Sequence, residues 1–180
     1  PGLALILTKP IGTGLINMAV RAEMASPRAK SAAEASMAML NARAAHILSG
    51  FHVAACTDVT GFGLAGHAAE MASGKVCGLS LNFDSVPLLP DVAEYAAMGL
   101  VPDGAHRNRD GRGQVIRGAE NVSPEELDIL FDPQTSGGLL AALPQAEAGA
   151  ALEALLAAGL TAAIVGQTGG ALGTVQLVRG

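Results

Sequence analysis

Aromatic side chains are scarce: they make up 3% of the 180 residues, with no Trp, one Tyr and four Phe. That excludes a stacking platform for single-stranded nucleic acid, which depends on aromatic faces. Positive charge is short as well. Lys and Arg number 11 against 16 Asp and Glu, for a formal net charge of −5, the wrong sign for a surface that neutralises phosphates. Cysteine is limited to Cys56 and Cys77. With no CxxC pair and no Cys/His cluster at ligand spacing, neither a disulfide scaffold nor a structural zinc site is indicated. The expectation is two buried free thiols in a reducing cytoplasm. The longest apolar run, residues 148–165, is Ala-rich, carries Glu153 and is interrupted by Gly159. It predicts a helix followed by a short strand, not a membrane span. No secretory leader pattern opens the chain.

What is abundant is small and aliphatic. Half the residues are hydrophobic and 15% are charged, too apolar a composition for disorder. The length suits one domain with a core of Ala, Leu, Val, Ile and Met. The chain opens on Pro1-Gly2 and enters an apolar strand pattern at once, Leu3 to Thr8, as expected if residues 1–180 are one domain cut from a longer protein.

Lys9-Pro10 ends that first strand, and Gly12-Thr13-Gly14 turns into a short helix around Leu15 to Ala25. Ser26-Pro27 is a helix start, with Ser as N-cap and Pro at the first helical position. From there Ala33, Met37, Leu40, Ala44 and Ile47 recur at three- and four-residue steps, predicting one long amphipathic helix to Ser49 that stops at Gly50. Buried strands are predicted over Phe51–Cys56 and Leu79–Phe83, separated by a helix from Leu64 to Ser73 ended by Gly74. A helix over Asp91–Met98 closes at Gly99. Pro102 to Gly118 holds Arg107, Arg109, Arg112 and Arg117 among glycines without an apolar period. It predicts a loop, either solvated or covering an anionic ligand, since Arg forks suit phosphate oxygens. Ser123-Pro124-Glu125-Glu126 starts another helix, reaching Phe131. Asp132–Gly138 is a polar turn feeding a strand over Leu139–Leu143, then a helix over Ala146–Ala158 and strands over Ala162–Val165 and Val175–Val178. The alternation gives an α/β sandwich.

Two chemistries compete at the central glycine turn. Gly61-Phe62-Gly63-Leu64-Ala65-Gly66 matches GxGxxG between a strand and a helix, with Asp84 placed 18 residues after Gly66, as in a dinucleotide fold. Against it, Thr57-Asp58-Val59-Thr60 intervenes after the strand, and the Asp58 carboxylate would repel a pyrophosphate unless a cation stood between them. That repulsion points to a magnesium-nucleotide site. Asp58 would bind Mg²⁺, which takes one or two carboxylates plus phosphate oxygens, and the amides around Gly61 and Gly63 would take an anion. The alternative for Asp58 is a turn or helix-capping role. His67 is expected to pack or hydrogen-bond locally, since no second metal ligand has matching spacing.

The segment Cys56-Thr57-Asp58-Val59-Thr60-Gly61-Phe62-Gly63-Leu64-Ala65-Gly66-His67 resembles the signature of the C-terminal domain of selenophosphate synthetases (selenide, water dikinases). Leu7–Gly14, Met39-Leu40-Asn41 and Asp132–Leu140 agree with that family in the same order. The resemblance implies a layered α/β sandwich, a mixed sheet covered by helices, of the aminoimidazole ribonucleotide synthetase C-terminal type. It implies an ATP-dependent phosphotransferase that makes selenophosphate, AMP and phosphate from ATP, selenide and water in a homodimeric, cytoplasmic enzyme. An N-terminal ATP-binding domain absent from this chain would supply most of the cleft and the reactive Cys or selenocysteine. No catalytic residue is therefore expected in these residues, and the isolated domain is expected to be inactive. The implied contribution here is Asp58 as Mg²⁺ ligand and one wall of the ATP cleft, with Lys9, Thr13, Thr60, Gly61, Gly63, Thr135 and Ser136 as candidate contacts. For Lys9 the equal alternative is a strand-end residue that orients its turn, and for Thr13, Thr135 and Ser136 it is turn formation. Another ATP-using enzyme of the same superfamily, and a domain that only binds nucleotide or joins subunits, remain open.

Overall fold

Strands that are apolar without alternation need cover on both faces, and the sheet is built that way. The computed structural model describes residues 1–73 and 77–180. In chain order the elements are β1 (Leu3–Leu7), α1 (Thr13–Arg21), α2 (Pro27–Ala38), α3 (Ala42–Leu48), β2 (Ala55–Asp58), α4 (Gly63–Ala72), β3 (Leu79–Asn82), α5 (Val92–Ala97), α6 (Asp103–Arg112), β4 (Ile116–Arg117), α7 (Pro124–Phe131), β5 (Leu139–Pro144), α8 (Gln145–Ala157), β6 (Ala163–Thr168) and β7 (Val175–Val178). The seven strands form one mixed sheet in the order β2-β5-β1-β6-β3-β7-β4. Only β3–β7 and β7–β4 run parallel; the other pairs are antiparallel.

Alternate residues of the central strands feed two cores. Leu5 and Leu7 of β1, with Leu140 and Ala142 of β5, join the larger core under α1, α4 and α7. Ile6, Ala141 and Leu143 point the other way and meet Ala44 and Leu48 of α3 and Ala151 and Leu155 of α8. Small side chains let helices and sheet approach closely, so Ala serves as core where aromatics are missing. The Ser26 and Ser123 starts behave as their sequences predict: each hydroxyl accepts from the third residue onward, and Ser123 completes a capping box with Glu126.

Several expectations are corrected. The long helix to Ser49 is two helices, because Met39 leaves the helical backbone with φ −71° and ψ 121°. The Met39 carbonyl accepts from Lys9, and the Asn41 amide donates to the Gly137 carbonyl, so contacts remote in sequence override the period. The Arg-rich stretch is not a loop. It forms α6 and then the short edge strand β4, and only Ala105 and Asn108 of α6 are buried, which explains the missing apolar period. The second strand begins at Ala55, later than predicted, and lies at the sheet edge. Cys56 is therefore exposed and Cys77 half-buried, both as free thiols; the expectation of two buried thiols does not hold. The helix end at Gly74 lies outside the described residues. Among the described residues no helix is long and apolar enough to cross a membrane.

The dinucleotide reading also fails. In a doubly wound fold the fingerprint strand is central in a parallel sheet. Here β2 is an edge strand, antiparallel to β5, and three strands separate it from β3. Asp84 is held by Arg179 at 2.5 Å rather than presented to a ribose.

Candidate functional site

Sheet register brings the three glycine-containing motifs together. Leu7 at the end of β1 pairs with Leu140, and Asp58 at the end of β2 pairs with Leu139 at the start of β5. The turns that follow β1 and β2 and the turn that precedes β5 therefore meet at one end of the sheet. They interlock through backbone bonds: the Val59 amide donates to the Gly138 carbonyl at 2.8 Å, and the Gln134 amide to the Thr60 carbonyl at 3.0 Å.

Beneath this surface lies a buried polar layer. Lys9 is buried, 4% exposed as a residue, and its ammonium donates to the carbonyls of Ser36 (3.0 Å), Met39 (2.6 Å) and Ser136 (2.7 Å). Burial pushes its pKa below the ordinary lysine value. All three ammonium protons are spent inside the protein, so Lys9 orients the turn, and it is withdrawn as a phosphate contact. Thr13 is likewise interior: its hydroxyl bonds the Gln134 side-chain oxygen at 3.2 Å and accepts from the Thr135 amide at 3.0 Å. Gln134 Oε1 also accepts the amides of Gly12 and Thr13. Asp132 is fully buried at the N-terminus of α1, with Oδ2 accepting from the Gly14 amide at 3.0 Å and from Gln134 at 2.8 Å. Desolvation raises its pKa to about 7, against the opposing pull of Gln134 and the Gly14 and Leu15 amides. The polar turn read from sequence is thus largely internal, with Asp132 and Gln134 as the residues that reading passed over.

What remains on the outside is a short set. Asp58, Gly61, Phe62, Thr135 and Ser136 are exposed. The Asp58 side chain has no hydrogen bond or ion pair among the described residues, and neither do the hydroxyls of Thr135 and Ser136. Thr60 is half-buried and its hydroxyl lies 3.1 Å from His67 Nε2. The Gly61 amide has no partner among the described residues, but the Gly63 amide closes the turn onto the Thr60 carbonyl at 3.0 Å, so Gly63 cannot offer it to an anion. Cys56 stands two residues before Asp58 along the same strand. Although the residue is exposed, protein atoms around the sulfur desolvate the thiolate and raise its pKa, and the Asp58 charge adds to the rise.

Helix α6 buttresses this turn, a role that the Arg-rich sequence did not reveal. Asn108 donates to the carbonyls of Gly61 (2.8 Å) and Phe131 (3.0 Å). The Arg112 guanidinium sits 3.5 Å over the Phe62 ring and bonds Glu70 at 2.8 Å. The available signal was the charge order, Asp103 in the first turn and Arg109 and Arg112 in the last, which favours a helix through its dipole.

No group of three or more His, Cys, Asp or Glu side chains gathers among the described residues. An unpartnered carboxylate at the same end of the sheet as an exposed glycine amide and two exposed hydroxyls fits a hydrated Mg²⁺–phosphate unit whose other ligands come from elsewhere. A groove of about 330 Å³ lies against Lys9, Pro10, Met39 and Leu88 and includes neither Asp58 nor the signature turn. Asp58, exposed like Gly61, Phe62, Thr135 and Ser136, stands on an open face.

A family profile described as "AIR synthase related protein, C-terminal domain" matches residues 1–177. The chain is 46% identical over 167 residues to a selenide, water dikinase of Pelobacter propionicus, covering 92% of this chain and 48% of the relative. It is 44% identical over 169 residues to selenide, water dikinase 2 of Peptoclostridium acidaminophilum, covering 93% and 48%. The chain spans about half the length of these curated relatives. In fold it is similar to the hydrogenase maturation protein HypE in complex with ATP, at a TM-score of 0.65, 19% identity and coverage of 98% of this chain and 47% of that one.

Proposed function

We infer that this chain, which belongs to the AIR synthase related protein C-terminal domain family, is the C-terminal half of an ATP-dependent selenophosphate synthetase. The reaction converts ATP, selenide and water to selenophosphate, AMP and phosphate. The observation that carries this reading is the unpartnered Asp58 carboxylate on an open face, within a segment that is 46% identical to a selenide, water dikinase.

Phosphoryl transfer requires charge neutralisation and alignment more than covalent chemistry from the protein. A Mg²⁺ held by Asp58 would neutralise polyphosphate charge. The Gly61 amide and the Thr135 and Ser136 hydroxyls are the free donors that can orient phosphate oxygens or water beside it. Lys9, Thr13 and Gly63 act one layer down by holding those donors in place. An open face supplies one wall, so the second wall and the selenium-handling group belong to an N-terminal ATP-binding domain in a homodimeric, cytoplasmic enzyme. The isolated chain folds but makes no selenophosphate.

Phosphorus NMR of the full-length enzyme with ATP and Mg²⁺, with and without selenide and beside Asp58→Asn, tests this. Selenide-dependent selenophosphate and AMP are expected from the parent, with both lost in the folded variant. ADP as final product, or turnover indifferent to selenide, would move the chain to another ATP-using enzyme of the superfamily.

A further inference from the structure

We propose that His67 fixes the hydrogen-bond polarity of Thr60, so that Thr60 faces the site as an acceptor for metal-bound water and not as a donor to phosphate. The proposal rests on the magnesium-site reading of Asp58 and deepens it, because Thr60 lies two residues beyond Asp58 on the same turn.

The polarity follows from which atoms can donate. His67 lies in α4 and is buried, its side chain 8% exposed. Its Nε2 receives the Phe62 backbone N–H at 3.4 Å. A backbone N–H can only donate, so Nε2 carries no proton and accepts. The ring proton then sits on Nδ1, which faces the Glu70 carboxylate at 3.0 Å. That contact lies off the line of a well-formed hydrogen bond but has the correct sense, proton toward carboxylate. Glu70 is itself held by Arg112, and Arg112 by stacking on Phe62, so the carboxylate is kept facing Nδ1 while the Phe62 N–H sets the tautomer at Nε2.

With Nε2 as acceptor, the hydroxyl of Thr60 at 3.1 Å must donate to it. A hydroxyl has one proton and two lone pairs, and that proton is spent on His67. Only lone pairs are left for any further partner of this half-buried residue, and Thr60 makes no other side-chain hydrogen bond among the described residues. Phosphate oxygens at neutral pH are acceptors and gain nothing from a lone pair. Water bound to a divalent cation is a strong donor. Thr60 is thereby removed from the phosphate contacts and placed with Asp58, while His67 is a positioning residue. Partners of this kind change metal affinity about 10–100-fold when lost.

Two measurements test this. Long-range proton–nitrogen correlation NMR of histidine-labelled full-length enzyme, with the His67 signal identified by its loss in His67→Gln, should show the Nδ1–H tautomer with an unprotonated Nε2. An Nε2–H tautomer or an imidazolium overturns the proposal, since either would donate to Thr60 and release its proton. Mn²⁺ binding in the presence of ATP, followed by electron paramagnetic resonance and so independent of turnover, should weaken about tenfold in Thr60→Val and in His67→Gln. Thr60→Ser should retain it. Unchanged Mn²⁺ binding with weakened ATP binding in Thr60→Val would return Thr60 to the phosphates and overturn the proposal. If Asp58→Asn leaves Mn²⁺ binding intact, the metal-site reading falls first, whatever tautomer His67 shows.

Discussion

The Lys9 ammonium donates to the Ser136 backbone carbonyl at 2.7 Å across 127 positions of sequence, and Ser136 adopts a left-handed backbone with φ 49°. The same ammonium holds the carbonyls of Ser36, in the last turn of α2, and of Met39, just beyond its end. Lys9→Met keeps the aliphatic stem but leaves three carbonyls without this donor. Unmade bonds at buried or half-buried carbonyls cost about 1–3 kcal/mol each, part of which water recovers at Met39 and Ser136. A net loss of about 3 kcal/mol is expected, lowering the melting temperature by about 10 °C. Lys9→Arg should recover only part of this, since a planar fork cannot point at three converging carbonyls as an ammonium does. Differential scanning calorimetry of the three proteins decides it.

Asp132 gives stability a pH dependence opposite to that of a salt-bridged carboxylate. Its folded pKa of about 7 lies above the ordinary value of 3.8. The folded protein therefore holds a proton that the unfolded chain releases between about pH 4 and pH 7. Stability from this group is fully present below pH 4 and is lost as pH rises through 7, by at most about 4 kcal/mol. Urea denaturation from pH 5 to 8 should show a declining contribution that disappears in Asp132→Asn. A wild type and variant with parallel profiles would overturn this assignment.

The two glycines of the signature turn predict opposite outcomes. Gly63 has φ +71°, and a β-carbon there would come 2.6 Å from the Phe131 carbonyl carbon, a backbone atom that cannot move aside. Gly61 has open space where its β-carbon would be. Gly63→Ala is expected to destabilise by more than about 2 kcal/mol, and Gly61→Ala by less than about 0.5 kcal/mol. Paired chemical denaturation curves measure both.

Cys56 reports on Asp58. Since the Asp58 charge contributes to raising the thiol pKa, removing that charge frees thiolate, the reactive form. Asp58→Asn should react faster with a thiol-disulfide reagent at fixed pH in the native state. Mg²⁺ with ATP should accelerate the parent full-length enzyme and leave the variant unchanged. An equal rate in parent and variant would show that the carboxylate does not act on the thiol.

The sheet was legible from sequence where strands were apolar on both faces. Leu3–Leu7 and Leu139–Leu143 stand out because each residue must suit one of two cores. The capped helix starts at Ser26 and Ser123 were equally local signals. What escaped was decided at long range. The break at Met39 depends on Lys9 and Gly137, and the edge position of β2, which exposes Cys56, depends on the order of strands. At the site, the residue types at Asp58, Thr135 and Ser136 could be read directly. Which donors are free could not: Gly63, Lys9 and Thr13 look available as letters and are consumed by the turns they build.

Helix α6 shows the same limit and allows a direct comparison within one polar segment. Asn108 is buried and bridges the Gly61 and Phe131 carbonyls, whereas Arg107 is exposed and reaches Asp103 only at 4.0 Å. An exposed helix pair at that distance contributes little, so Arg107→Ala should change stability by less than about 0.5 kcal/mol. Asn108→Ala removes both bonds. Water can replace the one to exposed Gly61, but not the one to fully buried Phe131, so a loss of about 1–3 kcal/mol is expected. Asn108→Asp should be worse, because a carboxylate would face two carbonyls with no proton to give. Native-state hydrogen exchange separates local from global effects: Asn108→Ala should speed exchange of the Phe62 and Gly63 amides beyond the change in global stability. Exchange that rises uniformly across the domain would reduce α6 to general packing and leave the turn to hold itself.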